Sequence, residues 1–469
     1  MHERGAWPIA REKASTVSKP TSEATLETAT AVSPGSGIGR AQWRVIILSS
    51  LGGALEFYDF VIYSMFAQYI GAAFFPTSDP RTTLLLSFSV FAAGYLARPV
   101  GGVILSHFGD RYGRRRVFIA AILTMSLATT AIGLLPSKAY LGITASVLMV
   151  CLRLLQGFSL GGELPGAITY VVETAPRTAG FAAGFIFFCV NTGVALASGL
   201  NLAVHELFDE PFVARWGWRF GFLFGGLFGL VSFWLRLSLQ ETTEFQRLKH
   251  QASRRPFVEL MSTHPLPALV GVAALTATAG FNGLLFAMPS FLPTYMGYSS
   301  LEASQAQYIC LMILSFGLVS VAWLGDRVPR RWLLCFGSLL VALLSIPFFS
   351  AAAARSIGLI PLFALAGVAA SFINGPMCAV VADIFPTRVR FSGIAVSFNL
   401  AFSIFSGLAP FLANLMARAG NITGGAYYMA GCALLTFLST LVLHRYDGRI
   451  LQEQSTAAPA AGTSSLPVQ

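Results

Sequence analysis

Charge is scarce in this chain. Only 11% of its 469 residues are Asp, Glu, Lys or Arg, against roughly 25% in soluble domains, which excludes an ordinary water-soluble globule. With 55% hydrophobic residues and a mean hydropathy of +0.67, the composition is that of a polytopic membrane protein. Paired cysteines are missing too. Cys151, Cys189, Cys310, Cys335, Cys378 and Cys432 stand singly in apolar stretches, a pattern that spells neither a metal nor a redox motif. The six histidines are dispersed, no two of them at the i, i+4 spacing of a helical metal site. A glycine-rich phosphate loop for ATP is lacking, as is a nucleophile–base pair in an accessible loop, so neither enzyme chemistry nor a cofactor is indicated. Residues 1–42 are rich in Ser, Thr, Ala and Pro. They have no sustained apolar core, which excludes a cleaved signal peptide and predicts a disordered tail.

From Trp43 onward the apolar runs are each about 20 residues or more, the length a helix needs to cross a bilayer core of ~30 Å. Twelve are predicted. Six lie near 43–72, 82–106, 117–135, 141–172, 178–204 and 216–237, within a first bundle over 43–237. Six more lie near 266–293, 302–324, 331–352, 356–382, 391–415 and 424–444, within a second bundle over 266–446. Between them, 238–265 carries Glu241, Glu244, Arg247, Lys249, His250, Arg254 and Arg255; it is too charged to cross and reads as a linker with a short surface helix. Residues 447–469 form a second tail.

The spans are punctuated by a charged hairpin, Gly109-Asp110-Arg111-Tyr112-Gly113-Arg114-Arg115-Arg116, which returns as Gly325-Asp326-Arg327-Val328-Pro329-Arg330-Arg331, 216 positions later. Such turns belong at a membrane–water boundary, because neither the aspartates nor the arginines tolerate hydrocarbon. A second recurrence supports the first. The fourth span ends Val172-Glu173-Thr174-Ala175-Pro176 and the tenth Ala382-Asp383-Ile384-Phe385-Pro386, an offset of 210. One half of the chain therefore repeats the other, as in one class of secondary transporters.

Lys and Arg orient the chain. With the N-terminus inside, 23 of the 31 lie in the tails and the loops on that side, six lie on the other, and Arg98 and Arg153 are within spans. That bias predicts both termini and the linker in the cytoplasm, and it accounts for the net +10 without nucleic acid.

Several motifs now add up to a resemblance. Glu56-Phe57-Tyr58-Asp59-Phe60, Arg98-Pro99-Val100-Gly101-Gly102, Gly109 to Arg116, Arg153-Leu154-Leu155-Gln156-Gly157 with Gly161-Gly162-Glu163, Trp216-Gly217-Trp218-Arg219 and Phe385-Pro386-Thr387-Arg388-Val389-Arg390 resemble those of major facilitator superfamily transporters. More narrowly they resemble the metabolite:proton symporters, which include bacterial carriers for citrate, α-ketoglutarate, shikimate and proline/betaine. The resemblance covers roughly 43–446. It implies an all-α membrane protein of twelve helices in two six-helix bundles, a monomeric alternating-access carrier in the bacterial inner membrane, with substrate held between the halves.

Candidate site residues follow. Glu56 and Asp59, three residues apart, share a face of the first helix near mid-membrane. They read either as a structural pair or, by preference, as a proton site, since intramembrane acids are functional by default and a like neighbour in low dielectric favours the protonated form. Arg153 is the natural partner, and the resemblance places both helices at the cavity; protonating the acid would free Arg153 for an anionic substrate. Gln156 and Tyr58 are polar groups nearby. Glu163, about 15 Å further along, is either a second proton relay or a locally bonded packing residue between Gly161 and Pro165. Arg98 either snorkels to the surface or, with Pro99, Gly101 and Gly102, forms a constriction. Asn191 and Asn399 read as interhelical hydrogen bonds, whereas Asn282 and Asn374 sit mid-span where the resemblance places the cavity. Asp110, Arg111 and Arg114, Asp326 and Arg330, with Glu173 and Asp383, are expected to form cytoplasmic gate networks that the resemblance implies are interdomain salt bridges. The favoured cargo is a small organic acid imported with protons. A zwitterionic osmolyte such as proline or betaine is the alternative, with the absence of a C-terminal heptad repeat against it. A non-transporting receptor would not require buried acids and an arginine.

Overall fold

In hydrocarbon every backbone amide must be satisfied within its own segment, which leaves helices as the form for runs this apolar. The computed structural model describes residues 40–112, 114–161, 163–174, 178–237, 256–386 and 389–446; all ordered elements among them are helical. Twelve spans emerge. The first half has α1 (Arg40–Met65, continued by Ala67–Phe74), α2 (Pro80–Tyr112), α3 (Arg114–Leu134), α4 (Ile143–Ser159 with Glu163–Thr174), α5 (Ala179–Leu207) and α6 (Trp218–Leu237). The second has α7 (Pro265–Met296), α8 (Ser300–Leu324), α9 (Arg330–Ala354), α10 (Leu359–Asn374 with Met377–Ile384), α11 (Arg390–Ala401, a π turn Phe402–Ser406, and Ala409–Arg418) and α12 (Gly424–Val442). By length and hydropathy eight of the described helices can cross a bilayer, with Ile119–Leu134 and Ile143–Ser159 as shorter apolar helices beside them. Pro256–Thr263 is a short helix ahead of α7; residues 238–255, where most linker charges fall, lie outside the described residues.

Local chemistry sets the ends. Asp79 caps α2, its carboxylate accepting from the Arg81 and Thr82 amides (both 3.1 Å) and from Thr82 Oγ1 (2.6 Å), with Pro80 opening the helix. α8 starts on a capping box in which Ser299 Oγ accepts from the Glu302 amide (3.1 Å) and Glu302 Oε2 accepts from the Ser299 amide (2.9 Å). Exposed apolar side chains such as Leu127, Val231, Phe316, Leu343 and Leu438 clothe the outside, as a lipid-facing surface requires. Inside, small residues let backbones meet. A methyl on Gly157 of α4 would collide with the Gly94 carbonyl of α2, and one on Gly193 of α5 with the Ala54 carbonyl of α1.

The two halves meet along a seam that is bonded at several depths. Asn191, Ser198 and Asn201 on α5 pair with Ser315 (3.0 Å), Gln307 (3.0 Å) and Ser304 (2.7 Å) on the antiparallel α8. Helix breaks are tied across it. α1 breaks at Phe66, where Ser290 of α7 inserts into the ladder: its Oγ donates to the Met65 (2.9 Å) and Ser64 (3.1 Å) carbonyls and accepts from the Gln68 amide (3.4 Å). α4 breaks after Leu160, and Asn399 Nδ2 of α11 donates to the Gly161 carbonyl (2.9 Å). α10 breaks at Gly375-Pro376, where proline removes a ladder donor, 214 positions after Gly161. The interhelical bonds expected of Asn191 and Asn399 are thus present, and both cross the seam.

Candidate functional site

Arg153 is fully buried in the first half. Its guanidinium lies between aromatic faces, 4.5 Å from the Phe60 centroid, 4.4 Å from that of Tyr63 and 5.6 Å from that of Phe91. Nη1 donates to Gln156 Oε1 (2.7 Å), and Nη1 and Nη2 both reach the Phe60 carbonyl (3.5 Å). Gln156 is one helical turn on, so the pair shares a face of α4. The amide relays onward: Gln156 Nε2 donates to Thr129 Oγ1 of α3 (2.7 Å), which donates to the Met125 carbonyl (2.9 Å).

Asp59 sits at the far end of this relay. It is 3% exposed and lies with the Thr129 side chain against Gly225 of α6, while Oδ1 has no partner among the described residues. The carboxyl fills a notch in α6, since a methyl on Gly225 would collide with Oδ1. Tyr58 turns the same way, donating to the Gly221 carbonyl (2.9 Å) and meeting Phe228 edge-on at 6.0 Å. The direct Asp59–Arg153 contact expected from the sequence is therefore replaced by the indirect path Arg153–Gln156–Thr129–Asp59. The reason is directional: α1 turns Tyr58 and Asp59 towards α6 and α3, and Phe60 towards Arg153. Burying a lone carboxyl is costly, and protonation is the ordinary escape.

Between the halves the polar groups are of a different kind. Arg98, 2% exposed, lies over Phe57 and Tyr95, 5.6 and 5.5 Å from their centroids. Tyr95 packs on Gly407 of α11, and its hydroxyl faces Ser406. Tyr95 Oη, Ser403 Oγ, Ser406 Oγ and Asn282 Oδ1 are all buried without a hydrogen-bond partner among the described residues, and each such atom costs about 1–3 kcal/mol. Asn282 and Asn374 are brought together, Nδ2 to Oδ1 at 3.4 Å, with Asn374 Nδ2 also donating to the Ala370 carbonyl (2.9 Å). These atoms line the meeting of α2, α7, α10 and α11, where a polar solute would find ready partners.

At the hairpin end Arg330 joins Asp326 (3.0 Å) to Asp383 (2.8 Å) inside the second half. The contact that Asp326 makes across the seam is with backbone: its carboxylate accepts from the Gly180 (2.8 Å) and Phe181 (2.9 Å) amides at the start of α5. A carboxylate on a helix N-terminus gains both the hydrogen bonds and the dipole. The side chains of Glu56, Asp110, Arg111, Arg114, Glu163 and Glu173 lie outside the described residues. Sequence reasoning passed over Thr129, Tyr95, Ser403 and Ser406; hydroxyls at single positions in apolar helices carry no motif. Gly225 is found only through the side chain it admits.

This architecture has known counterparts. The Major Facilitator Superfamily model matches residues 49–363. The glycine betaine/proline/ectoine/pipecolic acid transporter OusA of Dickeya dadantii is 30% identical over 433 residues, 88% of this chain and 86% of its own. The citrate-proton symporter of Klebsiella pneumoniae is 31% identical over 422 residues, 88% of this chain and 94% of its own. A crystal structure of a D-xylose-proton symporter shares the fold with a TM-score of 0.68 at 20% identity, over 86% of this chain and 98% of that one. The twelve-helix fold, the repeated halves and these matches together make the chain a member of the major facilitator superfamily.

Proposed function

We propose that this protein is a proton-coupled symporter that carries a small organic acid, such as a di- or tricarboxylate, across the bacterial inner membrane by alternating access. The observation that carries the reading is the buried path from Arg153 through Gln156 and Thr129 to Asp59. It links a cation suited to a carboxylate with an acid suited to a proton inside one half. Arg153, Arg98, Gln156, Tyr58, Asn282 and Asn374 serve the substrate, and Asp59, with Glu56 and Glu163, serves the proton. The hairpin end is cytoplasmic, as the Lys and Arg count favours, and Asp326, Arg330 and Asp383 act there as a gate with the first hairpin and Glu173. A protonated Asp59 can donate to the Thr129 oxygen and compete there with the Gln156 amide, which alters how tightly Arg153 is held for a carboxylate. The protein moves its cargo unchanged, as a monomer, with the proton gradient in place of a cofactor.

A second reading, a zwitterionic osmolyte as cargo, has the name of the Dickeya relative in its favour. Both cargoes bear a carboxylate that Arg153 or Arg98 would hold; a betaine also needs an anionic or aromatic face for its ammonium. Uptake into proteoliposomes of labelled citrate, succinate, shikimate, proline and betaine, with and without an imposed pH gradient, separates them. Gradient-dependent accumulation of the acids alone supports the proposal. Accumulation of betaine or proline in their place moves it to the second reading, and accumulation indifferent to the gradient rejects proton coupling.

A further inference from the structure

At the end remote from the charged hairpins, three elements of the first half converge on the start of α8. The hydroxyl of Tyr69, in the second segment of α1, lies 2.8 Å from Glu210 Oε2, 3.0 Å from His205 Nε2 and 3.2 Å from Ser300 Oγ. His205 is near the end of α5 and Glu210 just beyond it, whereas Ser300 opens α8, so the cluster bridges the seam. Gln68 Nε2 donates to the same Ser300 Oγ (3.2 Å). The group forms a latch over this end of the molecule.

The hydrogens in the latch can be counted. His205 Nδ1 is 2.8 Å from the Asn201 carbonyl oxygen; a carbonyl only accepts, so Nδ1 bears a hydrogen. Tyr69 has a single hydrogen, and it goes to Glu210 Oε2, the shortest of its contacts and a carboxylate that only accepts. With that hydrogen committed, Nε2 at 3.0 Å faces lone pairs on the tyrosine oxygen, and a bond forms there only if Nε2 is also protonated. The ring is then an imidazolium. The Tyr69 oxygen then accepts from His205 with Ser300 beside it, Ser300 accepts from Gln68, and the cation stands one hydroxyl away from the Glu210 carboxylate. With a neutral ring, either two acceptors confront each other, or the Tyr69 hydrogen turns to Nε2 and the exposed Glu210 carboxylate is left to solvent.

We propose that His205, with Tyr69 and Glu210, is a proton-binding site separate from the α1 carboxyl, and that its proton holds this end of the carrier closed. The surroundings are consistent with a single switchable charge. Phe66 stacks on the ring at 5.9 Å and 13°. Asn201 Nδ2 is turned away to Ser304 (2.7 Å). Of the other charged groups on neighbouring elements, Glu206 faces Gln305 (3.5 Å), Glu302 is engaged by Ser299 (2.9 Å), and Arg219 donates to the Gly133 and Leu135 carbonyls (both 2.8 Å). The inference requires no particular cargo and no assignment for Asp59.

Nitrogen-15 spectra of the histidine-labelled full chain in lipid nanodiscs, recorded across a pH series, test the proton, with the His205 signals identified by their loss in His205→Gln. Spin labels at Asp209 and Ile357, exposed positions on opposite halves at this end, report closure in the same samples by pulsed distance measurement. The expected result is that the closed fraction grows as pH falls, with a closed-to-open ratio changing by up to about tenfold per pH unit, the limit for one linked proton, in step with the imidazolium signal. In His205→Gln, whose amide donates at every pH, that step is lost and this end stays closed. A neutral His205 ring at a pH where the labels report closure overturns the proposal, and so does a His205→Gln protein that keeps the full wild-type pH dependence of the distance.

Discussion

Arg153 is held in place by rings and an amide where an opposite charge was expected. Two aromatic faces at about 4.5 Å and the Gln156 oxygen fix the guanidinium plane, and a desolvated cation–π contact is worth roughly 2 kcal/mol. Lysine keeps the charge but loses the planar fork that stacks on rings and grips a carboxylate from two sides. Arg153→Lys is therefore expected to insert normally and to lose about tenfold or more of its uptake; membrane content and initial rate, measured on the same vesicles, separate the two effects. Thr129 is the next link. Thr129→Val keeps the shape but leaves the Gln156 amide without its acceptor, a cost of about 1–3 kcal/mol. The expected outcome is a lower transport rate with a displaced pH optimum, read from uptake against pH, whereas an unchanged pH profile would uncouple Thr129 from Asp59.

At the scale of elements, the first half leaves two of its helices broken and the second half supplies the missing bonds. Ser290 serves the break in α1 and Asn399 the break in α4. Because α1 breaks towards the latch end and α4 towards the hairpin end, Ser290→Ala and Asn399→Ala are expected to shift the open–closed balance in opposite senses, each by about 1 kcal/mol, the worth of one hydrogen bond. Distance measurements on label pairs at the two ends check the sign: opening at the latch end for Ser290→Ala, opening at the hairpin end for Asn399→Ala. The helical spans were legible because apolar runs of this length must be helical in lipid, and the repeat because its charged turns cannot move into lipid. The partners of α1 were not. Helical spacing shows which residues share a face but not which neighbour that face meets, so it points Asp59 at Arg153, whereas a glycine of α6 makes room for the carboxyl. The seam was equally hidden, since Ser290 and Ser406 are common residues whose importance comes from a helix break and a facing chain far off in sequence.

Across the whole molecule, the seam is bonded at both ends at once. Asp326 rests on the start of α5 at one end, and Tyr69 and Gln68 meet Ser300 at the other, with the buried polar atoms of Tyr95, Asn282, Ser403 and Ser406 between them. Alternating access from this state requires one set of contacts to yield while the other holds, and coupling requires that a proton influence which. Asp59 is suited to this because its carboxyl is buried and forms no ion pair among the described residues. Asp59→Asn presents the same shape to Thr129 and Gly225 as the protonated acid, at every pH. A carrier fixed in that form can still bind substrate and exchange it for substrate on the far side, since exchange involves no proton release. It cannot concentrate substrate, because the return of the empty carrier is no longer tied to deprotonation. In proteoliposomes, Asp59→Asn is therefore expected to keep counterflow near the wild-type level while accumulation driven by a pH gradient falls to the equilibrium value. Accumulation that survives the substitution would assign Asp59 to packing against α6 and leave Glu56 or Glu163 to carry the proton.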